Sequence, residues 1–595
     1  MWKTDSSGAS RTEDAVMQFL PPCQIRCPIN EDIQRTNVLM SLLPEDPGQA
    51  KDGIIQIGDY LYEKNPFFTV CGYICGLCEN DCNYKTRGGA IKRRLLKRFL
   101  SDTYTPYLSQ KKPLEVTKDK GKVAVIGGGP GGLMCAYELS RRGYKATVFD
   151  SNEKLGGAVR YIPEYRLPED VMDAVVDNLV RIVGIEVKLN AKVGEGGLTL
   201  QKLRDEGYKA FFVATGTPYA RPLTFGTEKV EGQDLDGVMY GLKLLWDANR
   251  GEVPSDLYKG KDVVVIGGGN VAFDVARTAR RLGGDVTVVA LEVMDKASKD
   301  ALPADVEELE GAREEGIRII PSRGVRRISK ANGKLNLDCP LCTSVFDEKG
   351  FNPQFECADC IPLDADVVLV TIGQMGDRAF LQNEGLLNDA GRLQADPVDL
   401  QGRVPDVFIG GDVRRIGFLA DAMHEGVEAA ESIDRYLSGI DLKSGRAREY
   451  GPYDAPYRSS YKEEPKHKWV PADQRLNFNM FEQGLTLQEA IEEARRCITC
   501  GPCISCKACV SVGIQEELTP AQVDEDLCCG CKMCVYVCNY DAAGLKEVEG
   551  KIVSFTDELK CKSCGMCVAA CPSGARSLAG DRTPARIEAV YGALR

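Results

Sequence analysis

Hydrophobic positions in this chain come as short unbroken runs set between stretches of helical period. Val123 to Ile126 is one such run. It leads into Gly127, Gly129 and Gly132, then an apolar-periodic helix, then a second apolar strand that ends at Asp150. Residues 261 to 292 repeat the order, with Gly267 and Gly269 in the turn, Ala272 at the third small position and Ala290-Leu291-Glu292 at the end. Alternating strands and helices of this kind predict doubly wound α/β domains. Further strands are predicted at 211–213, ahead of Ala214-Thr215-Gly216, at 366–370, and ahead of Gly410-Gly411-Asp412, with a helix from about Ala420. Between Asp441 and Trp469 the pattern dissolves into Tyr, Pro and charge, which predicts a linker to a helix carrying Glu493-Ala494-Arg495-Arg496-Cys497. No apolar run approaches the ~20 residues a bilayer crossing needs, so no membrane span is expected.

The two glycine-rich turns have the physical requirements of dinucleotide sites. Gly127 permits the tight turn, Gly129 lets backbone approach a pyrophosphate, and Gly132 lets helix pack on strand. The helix opening at Pro130-Gly131 supplies a positive dipole end, and Asp150 is placed to accept a ribose hydroxyl. Gly267, Gly269, Asn270 and Ala272 repeat the arrangement, so two dinucleotides are expected.

At 595 residues the chain is long enough for about four domains. With 43% hydrophobic and 27% charged residues it is neither collagen-like nor wholly disordered. The balance of 75 Lys+Arg against 87 Asp+Glu leaves −12, which disfavours nucleic acid and anionic membranes as partners despite the local basic run from Lys92 to Arg98. The opening MWKTDSSGASRTED has no apolar signal core, so a cytoplasmic location is expected. In a reducing compartment 25 cysteines point to metal. His424 and His467 are the only histidines, so a His-rich metal site is excluded.

The cysteines are grouped. Cys528, Cys531, Cys534 and Cys538 repeat as Cys561, Cys564, Cys567 and Cys571, the spacing of a two-cluster bacterial ferredoxin. The fourth cysteine of each run serves the other cluster, which predicts one site from Cys528, Cys531, Cys534 and Cys571 and another from Cys561, Cys564, Cys567 and Cys538. Cys497, Cys500, Cys503, Cys506 and Cys509 recur every third residue and suit a further four-iron cluster, or zinc. Cys23 and Cys27-Pro28 precede Cys71, Cys75, Cys78 and Cys82, enough for one cluster. Cys339, Cys342, Cys357 and Cys360 form CxxCx14CxxC, a spacing that suits structural zinc. The lone Cys135 reads as core packing.

Taken with the GGAVRYIPEYRLP stretch (156–168), ATG (214–216) and GGD (410–412), these elements resemble the flavoprotein module of the glutamate synthase small subunit. The NADPH-binding subunit of bifurcating transhydrogenases and the N-terminal half of dihydropyrimidine dehydrogenase share that module. The resemblance spans roughly residues 20–445 and the EARRC stretch. It implies that the first unit binds FAD through Gly127, Gly129, Pro130, Gly131, Gly132, Asp150, Gly157, Arg166, Thr215, Gly216, Gly411 and Asp412. The second, inserted unit would bind NAD(H) or NADP(H) through Gly267, Gly269, Asn270, Ala272 and Glu292. Thr371 to Gln374, with Gly373, lie where the two domains meet. NADPH-using relatives carry Tyr-Arg-Arg after the second strand of that unit. Glu292 here would accept both ribose hydroxyls and repel a 2′-phosphate, while nearby Lys296, Lys299, Arg280 and Arg281 leave NADP open. The N-terminal group resembles a domain that can hold two clusters, but the further upstream CxxC is missing. Basic residues around Lys97 stand where relatives use Glu or Gln as a ligand.

The fold class expected is α/β: two Rossmann-like dinucleotide-binding domains, an N-terminal α-helical Fe–S domain and a C-terminal α+β ferredoxin-like domain. The boundaries are 1–117 for the helical head, 118–230 and 365–445 for the FAD domain, and 231–364 for the NAD(P) domain with its four-cysteine knuckle at 339–360. A linker at 446–496 and a ferredoxin-type 4Fe–4S domain at 497–595 complete the chain. Three to five four-iron clusters are expected in all. The function implied is an FAD-dependent NAD(P)H oxidoreductase, a subunit passing electrons between a pyridine nucleotide and iron–sulfur clusters within a multi-subunit complex. Other redox subunits are its expected partners, ferredoxin is among the candidate acceptors, and electron bifurcation is among the modes allowed. Hydride transfer between stacked rings needs no protein acid or base, so no catalytic residue is nominated. Two alternatives stand beside this reading: a glutamate-synthase-type electron donor, and a non-catalytic electron-wiring scaffold. Dihydropyrimidine reduction is disfavoured, because the residues after the flavin module are too few for a ~250-residue substrate barrel beside the ferredoxin motifs.

Overall fold

The computed structural model describes residues 18–86, 88–115, 119–444, 446, 450–452, 463–465, 468–500, 520–538, 540–558, 560, 561, 563 and 565–578. The chain opens as a helical head containing the helices Ile33–Ser41, Pro47–Lys64, Phe68–Ile74 and Arg93–Tyr107. Their starts are set locally. Asp32 accepts from the Arg35 backbone N–H, and Asp46 accepts from that of Gln49 ahead of a first-turn proline. Leu61, Phe68, Leu96 and Tyr104 of the head share one core with Val125 and Leu133 of the domain that follows, so the head is built onto it.

Two five-stranded parallel sheets follow. The first runs in the order Val407–Ile409, Tyr208–Val213, Lys122–Ile126, Lys145–Phe149, Glu186–Lys188. The second runs Arg318–Ile320, Asp285–Val289, Asp262–Ile266, Val367–Val370, Val238–Tyr240. Buried central strands such as Val123 to Ile126 and Val263 to Ile266 explain the unbroken apolar runs, since both faces of each sheet are covered.

Three expected boundaries move. Val367–Val370 pairs with Asp262–Ile266, so the second domain keeps its strand past residue 365 and the chain returns to the first domain only afterwards. The span 446–496 is not linker throughout. Lys468–Trp469 pairs with Glu482–Gln483, and Leu487–Arg496 is a helix started by a Thr486/Glu489 capping box. Its buried side, with Ala490, Ile491 and Ala494, packs against Ile33–Ser41 of the head. Cys497 and Cys500 therefore belong to the head, not to the C-terminal domain. That domain carries the hairpin Ala543–Val548/Lys551–Thr556, the pair Gln522–Val523/Arg576–Ser577 and the short helices Met533–Tyr536 and Met566–Ala569. Among the described residues no helix is long and apolar enough to cross a membrane.

Candidate functional site: two nucleotide loops and four groups of thiols

In the first loop Gly127 has φ +109°, and a Cβ on it would lie 2.3 Å from the Ala214 carbonyl. A Cβ on Gly132 would lie 1.9 Å from the Gly127 carbonyl, whereas one on Gly129 would meet nothing closer than 3.8 Å. The first and third glycines are thus demanded by packing, and the second leaves an open face. Pro130 begins the helix Pro130–Arg141 at its first turn, and Gly131 backs onto Ala422. Asp150 is buried and accepts from the Gly128 and Asn152 backbone N–H groups at 2.7 Å each. Gly157 crosses the loop next to Gly129, and Gly216 follows Thr215 at the end of the adjacent strand. The Thr215 hydroxyl is buried without a partner, an orphaned donor that fits a bound FAD. On the far side Asp412 accepts from the Gly417 N–H, and burial raises its carboxyl above the ordinary value.

The second loop matches the first. Gly267 has φ +142°, and a Cβ there would strike the Thr371 carbonyl at 2.5 Å. Gly269 opens onto empty space and Ala272 is fully buried. Asn270 exchanges hydrogen bonds with Asp305, and Gly373 lies beside Arg221. The Glu292 carboxylate stands over this loop, with an oxygen 2.4 Å from where a Cβ on Gly268 would be. Burial pushes its carboxyl up. The four basic side chains named as alternatives are occupied elsewhere. Lys296 donates to the Leu302 and Ala304 carbonyls, and Lys299 to that of Phe346. Arg280 donates to the Glu315 and Gly284 carbonyls, and Arg281 to the Glu315 carboxylate and the Asn477 carbonyl.

Arg166, which the resemblance gave to FAD, faces the other way. It bonds both Asp274 oxygens at 2.7 and 2.8 Å and reaches Glu308 at 3.0 Å. Arg277, Arg281, Arg475 and Glu315 extend this network, so Arg166 ties the two dinucleotide domains together. The role is invisible in sequence because Asp274 and Glu308 lie more than 100 residues away. Glu425 was also missed. It is buried, accepts from the Gly411 N–H at 2.6 Å and pairs with Arg414, fixing the turn that presents Asp412. Its one sequence signal is an acid beside Met423, Gly426 and Ala429 on the buried face of the helix Leu419–Ser438.

The head and the EARRC helix gather thiols. Burial raises the Cys23 thiol, and Cys78, Cys497, Cys500 and Cys82 raise it further. Cys82 and Cys500 each feel Cys497 in the same way. Cys27 neighbours Cys75, and Cys78 neighbours both. Cys71 shares a hydrogen bond with Cys75 that lowers the latter. The buried Lys97 ammonium lies against this second group, 3.7 Å from Glu31. Cys497 and Cys500, from the far end of the chain, thus stand with Cys23 and Cys82 beside Cys27, Cys71, Cys75 and Cys78, and eight thiols gather where six were expected. Cys503, Cys506 and Cys509 lie outside the described residues.

In the C-terminal domain Cys528, Cys531, Cys534 and Cys571 line one cavity, while Cys538, Cys561 and Cys567 line a second. Cys571 thus stands with the first run and Cys538 with the second; Cys564 lies outside the described residues. The residues fit four-iron cubes, whose thiolates stand around a cavity and not around one ion.

The zinc expectation fares differently. Both CxxC pairs fall within the strands Lys334–Asp347 and Gly350–Ala365 at breaks in their ladder, where the register shifts between Pro340 and Leu341 and 357–359 have no partner across it. Cys339 is buried under the second sheet, Cys360 bonds Asp338, Cys342 bonds the Ser344 carbonyl, and Cys357 is exposed. A tetrahedral ion draws its thiolates to within about 4 Å of one another. Among the described residues no three Cys, His, Asp or Glu side chains converge in that way. The described thiols of the hairpin are not gathered as a closed zinc site would gather them. Cys135 is fully buried core, as expected.

Residues 121–428 match the model of the pyridine nucleotide-disulphide oxidoreductase family. The chain belongs to that family. Residues 527–575 match a 4Fe–4S dicluster domain. The chain is 29% identical over 523 residues to the NADP(+)-dependent formate dehydrogenase subunit beta of Moorella thermoacetica, covering 80% of this chain and 70% of that one. It is 29% identical over 443 residues to the glutamate synthase [NADPH] small chain of Escherichia coli, covering 70% and 89%. It is 30% identical over 390 residues to the NAD-dependent dihydropyrimidine dehydrogenase subunit PreT of Escherichia coli, covering 63% and 84%. This member of the pyridine nucleotide-disulphide oxidoreductase family is therefore an NAD(P)H-dependent oxidoreductase with an iron–sulfur component, and its resemblance to the glutamate synthase small subunit holds.

Proposed function

We propose that this chain is the flavin and pyridine-nucleotide subunit of a multi-subunit redox complex, that it prefers NAD(H), and that four 4Fe–4S clusters carry its electrons. Its partners are other redox subunits. The observation that carries the reading is the docking of the EARRC helix on the head, which completes a thiol set built on the core of the first dinucleotide domain. A non-catalytic scaffold would have no need of two intact nucleotide loops.

FAD, when bound, exchanges a hydride with nicotinamide and passes electrons on singly. The chain's own residues do the rest. Gly129 and the start of the helix Pro130–Arg141 face a pyrophosphate, Asp150 a ribose, and Asp412, held by Glu425 through Gly411, the flavin's polar chain. Gly267, Gly269 and Glu292 take the pyridine nucleotide. The clusters are assigned to Cys23, Cys82, Cys497 and Cys500; to Cys27, Cys71, Cys75 and Cys78; to Cys528, Cys531, Cys534 and Cys571; and to Cys538, Cys561, Cys564 and Cys567. Lys97 is charged and buried, so it acts as a countercation to the second set and not as a ligand.

Anaerobic mixing with NADH tests the reading. Flavin absorbance should bleach first, and reduced-cluster electron paramagnetic resonance (EPR) signals should follow. Flavin that stays oxidised with both NADH and NADPH would leave only the scaffold role.

A further inference from the structure

Nine arginine and lysine side chains are buried among the described residues. Eight of them, from Arg93 to Arg496, have a carboxylate within 4.0 Å. The ninth, Arg576, is 3% exposed and makes no ion pair with any described residue. An unpaired buried charge is costly, and a protein that keeps one has an opposite charge to set against it.

Its surroundings say what that charge is. Arg576 lies on the strand Arg576–Ser577, beside Val523, and its side chain lines both thiol cavities of the C-terminal domain. One guanidinium nitrogen, Nη1, donates to Cys567 Sγ at 3.6 Å and to Thr556 Oγ1 at 2.9 Å. The other, Nη2, donates to Ser554 Oγ and, at 2.8 Å, to the Phe555 carbonyl. Ser554 belongs to the other site, since its hydroxyl is 3.0 Å from Cys534 Sγ and its N–H donates to Cys528 Sγ at 3.2 Å. Arg576 Nε is buried without a partner. The guanidinium thus stands between two sets of thiolates, touching one directly and the other through a single serine.

The internal repeat of the domain makes this asymmetric. The offset that carries Cys528 to Cys561 and Cys538 to Cys571 carries Ala543 to Arg576. One of two equivalent positions is a small apolar residue lining a single cavity, and the other is a cation lining both.

We propose that Arg576 is the shared countercation of the two C-terminal clusters and raises the reduction potential of both. The inference rests on the two-cluster reading of this domain. Thiolate-bound four-iron clusters are net negative and become more so on reduction. A fixed cation that also donates to a ligand sulfur stabilises the reduced form. Because Arg576 acts on both sites, it moves their potentials together and keeps them matched for transfer between them.

The test is an EPR-monitored redox titration of the full chain, purified anaerobically, with iron and sulfide assayed on each sample and Cys531→Ser used to assign the two signals. With Arg576→Met both midpoints should fall, each by at least a tenfold drop in the reduced-to-oxidised ratio at the wild-type midpoint, 59 mV for one electron. Arg576→Lys should restore part of the shift. Unchanged midpoints at full iron content would overturn the proposal, and a shift at one cluster alone would overturn the shared role. If Arg576→Met loses iron, Arg576→Lys and Ser554→Ala carry the test. The serine variant should then lower only the cluster of Cys528, Cys531, Cys534 and Cys571, and no shift in either variant would refute the proposal. Wild type with no four-iron signal from this domain would instead reject the cluster reading beneath it.

Discussion

On the proposed reading, nucleotide choice turns on one carboxylate. Glu292 lies against Gly268 in the turn proposed to take the adenosine ribose of the pyridine nucleotide, and the four basic residues nearest in sequence are engaged elsewhere. Two unit charges 4 Å apart in water repel by about 1 kcal/mol. A 2′-phosphate carries roughly −1.5 to −2 at neutral pH, so the penalty against NADPH is about 2 kcal/mol, close to 30-fold. Stopped-flow reduction of the flavin at limiting nucleotide should therefore favour NADH by about that factor. Glu292→Arg should remove the repulsion and add a donor, carrying the ratio past unity toward NADPH. The wild-type preference should also shrink on acidification. Burial raises this carboxyl above its ordinary value of 4.5, so the charge is lost at a higher pH than for an exposed glutamate. Wild type reduced faster by NADPH, or a ratio unmoved by Glu292→Arg, would place Glu292 outside the ribose pocket.

Four further outcomes are expected. Anaerobic iron analysis should find about 16 Fe per chain, and Cys23→Ser and Cys500→Ser should each remove the same cluster signal; independent losses would separate those two residues. Gly132→Ala places a methyl on the Gly127 carbonyl and should yield protein without FAD, measured as the flavin-to-protein ratio after purification. Glu315→Gln leaves Arg277, Arg281 and Arg475 short of counter-charge and should cost about 3–5 kcal/mol in denaturant unfolding. Burial opposes ionisation of Glu315 and the Arg281 and Arg277 guanidiniums overcome it, so this stabilisation is present above pH 4.5 and is lost as pH falls through the lowered folded value. Cys342→Ser should leave the melting temperature and metal content unchanged, and a full equivalent of zinc in wild type that this variant loses would show that the hairpin rearranges around an ion.

Sequence alone determined whatever depends on neighbours along the chain. The glycines of both loops carry a local signature: Gly127 and Gly267 take positive φ and Gly132 meets the Gly127 carbonyl, so their spacing identified two dinucleotide folds. The doubled cysteine runs, a short internal repeat, placed Cys571 beside the first run and Cys538 beside the second, as the cavities they line have it. Tertiary structure decided what joins distant segments. Cys497 and Cys500 meet Cys23 and Cys82 because Ala490, Ile491 and Ala494 dock on the head, a packing event with no signature in cysteine spacing. The strand Val367–Val370 chose the second sheet, Arg166 became a strut between domains, and the CxxC pairs of the hairpin fell at breaks in its ladder. Arg576 is the sharpest case. In sequence it is one charged residue among many, and only the fold shows it buried between two thiolate sites without a carboxylate partner among the described residues. A short motif is constrained by bond geometry over a few residues, whereas the worth of a buried charge depends on everything packed around it.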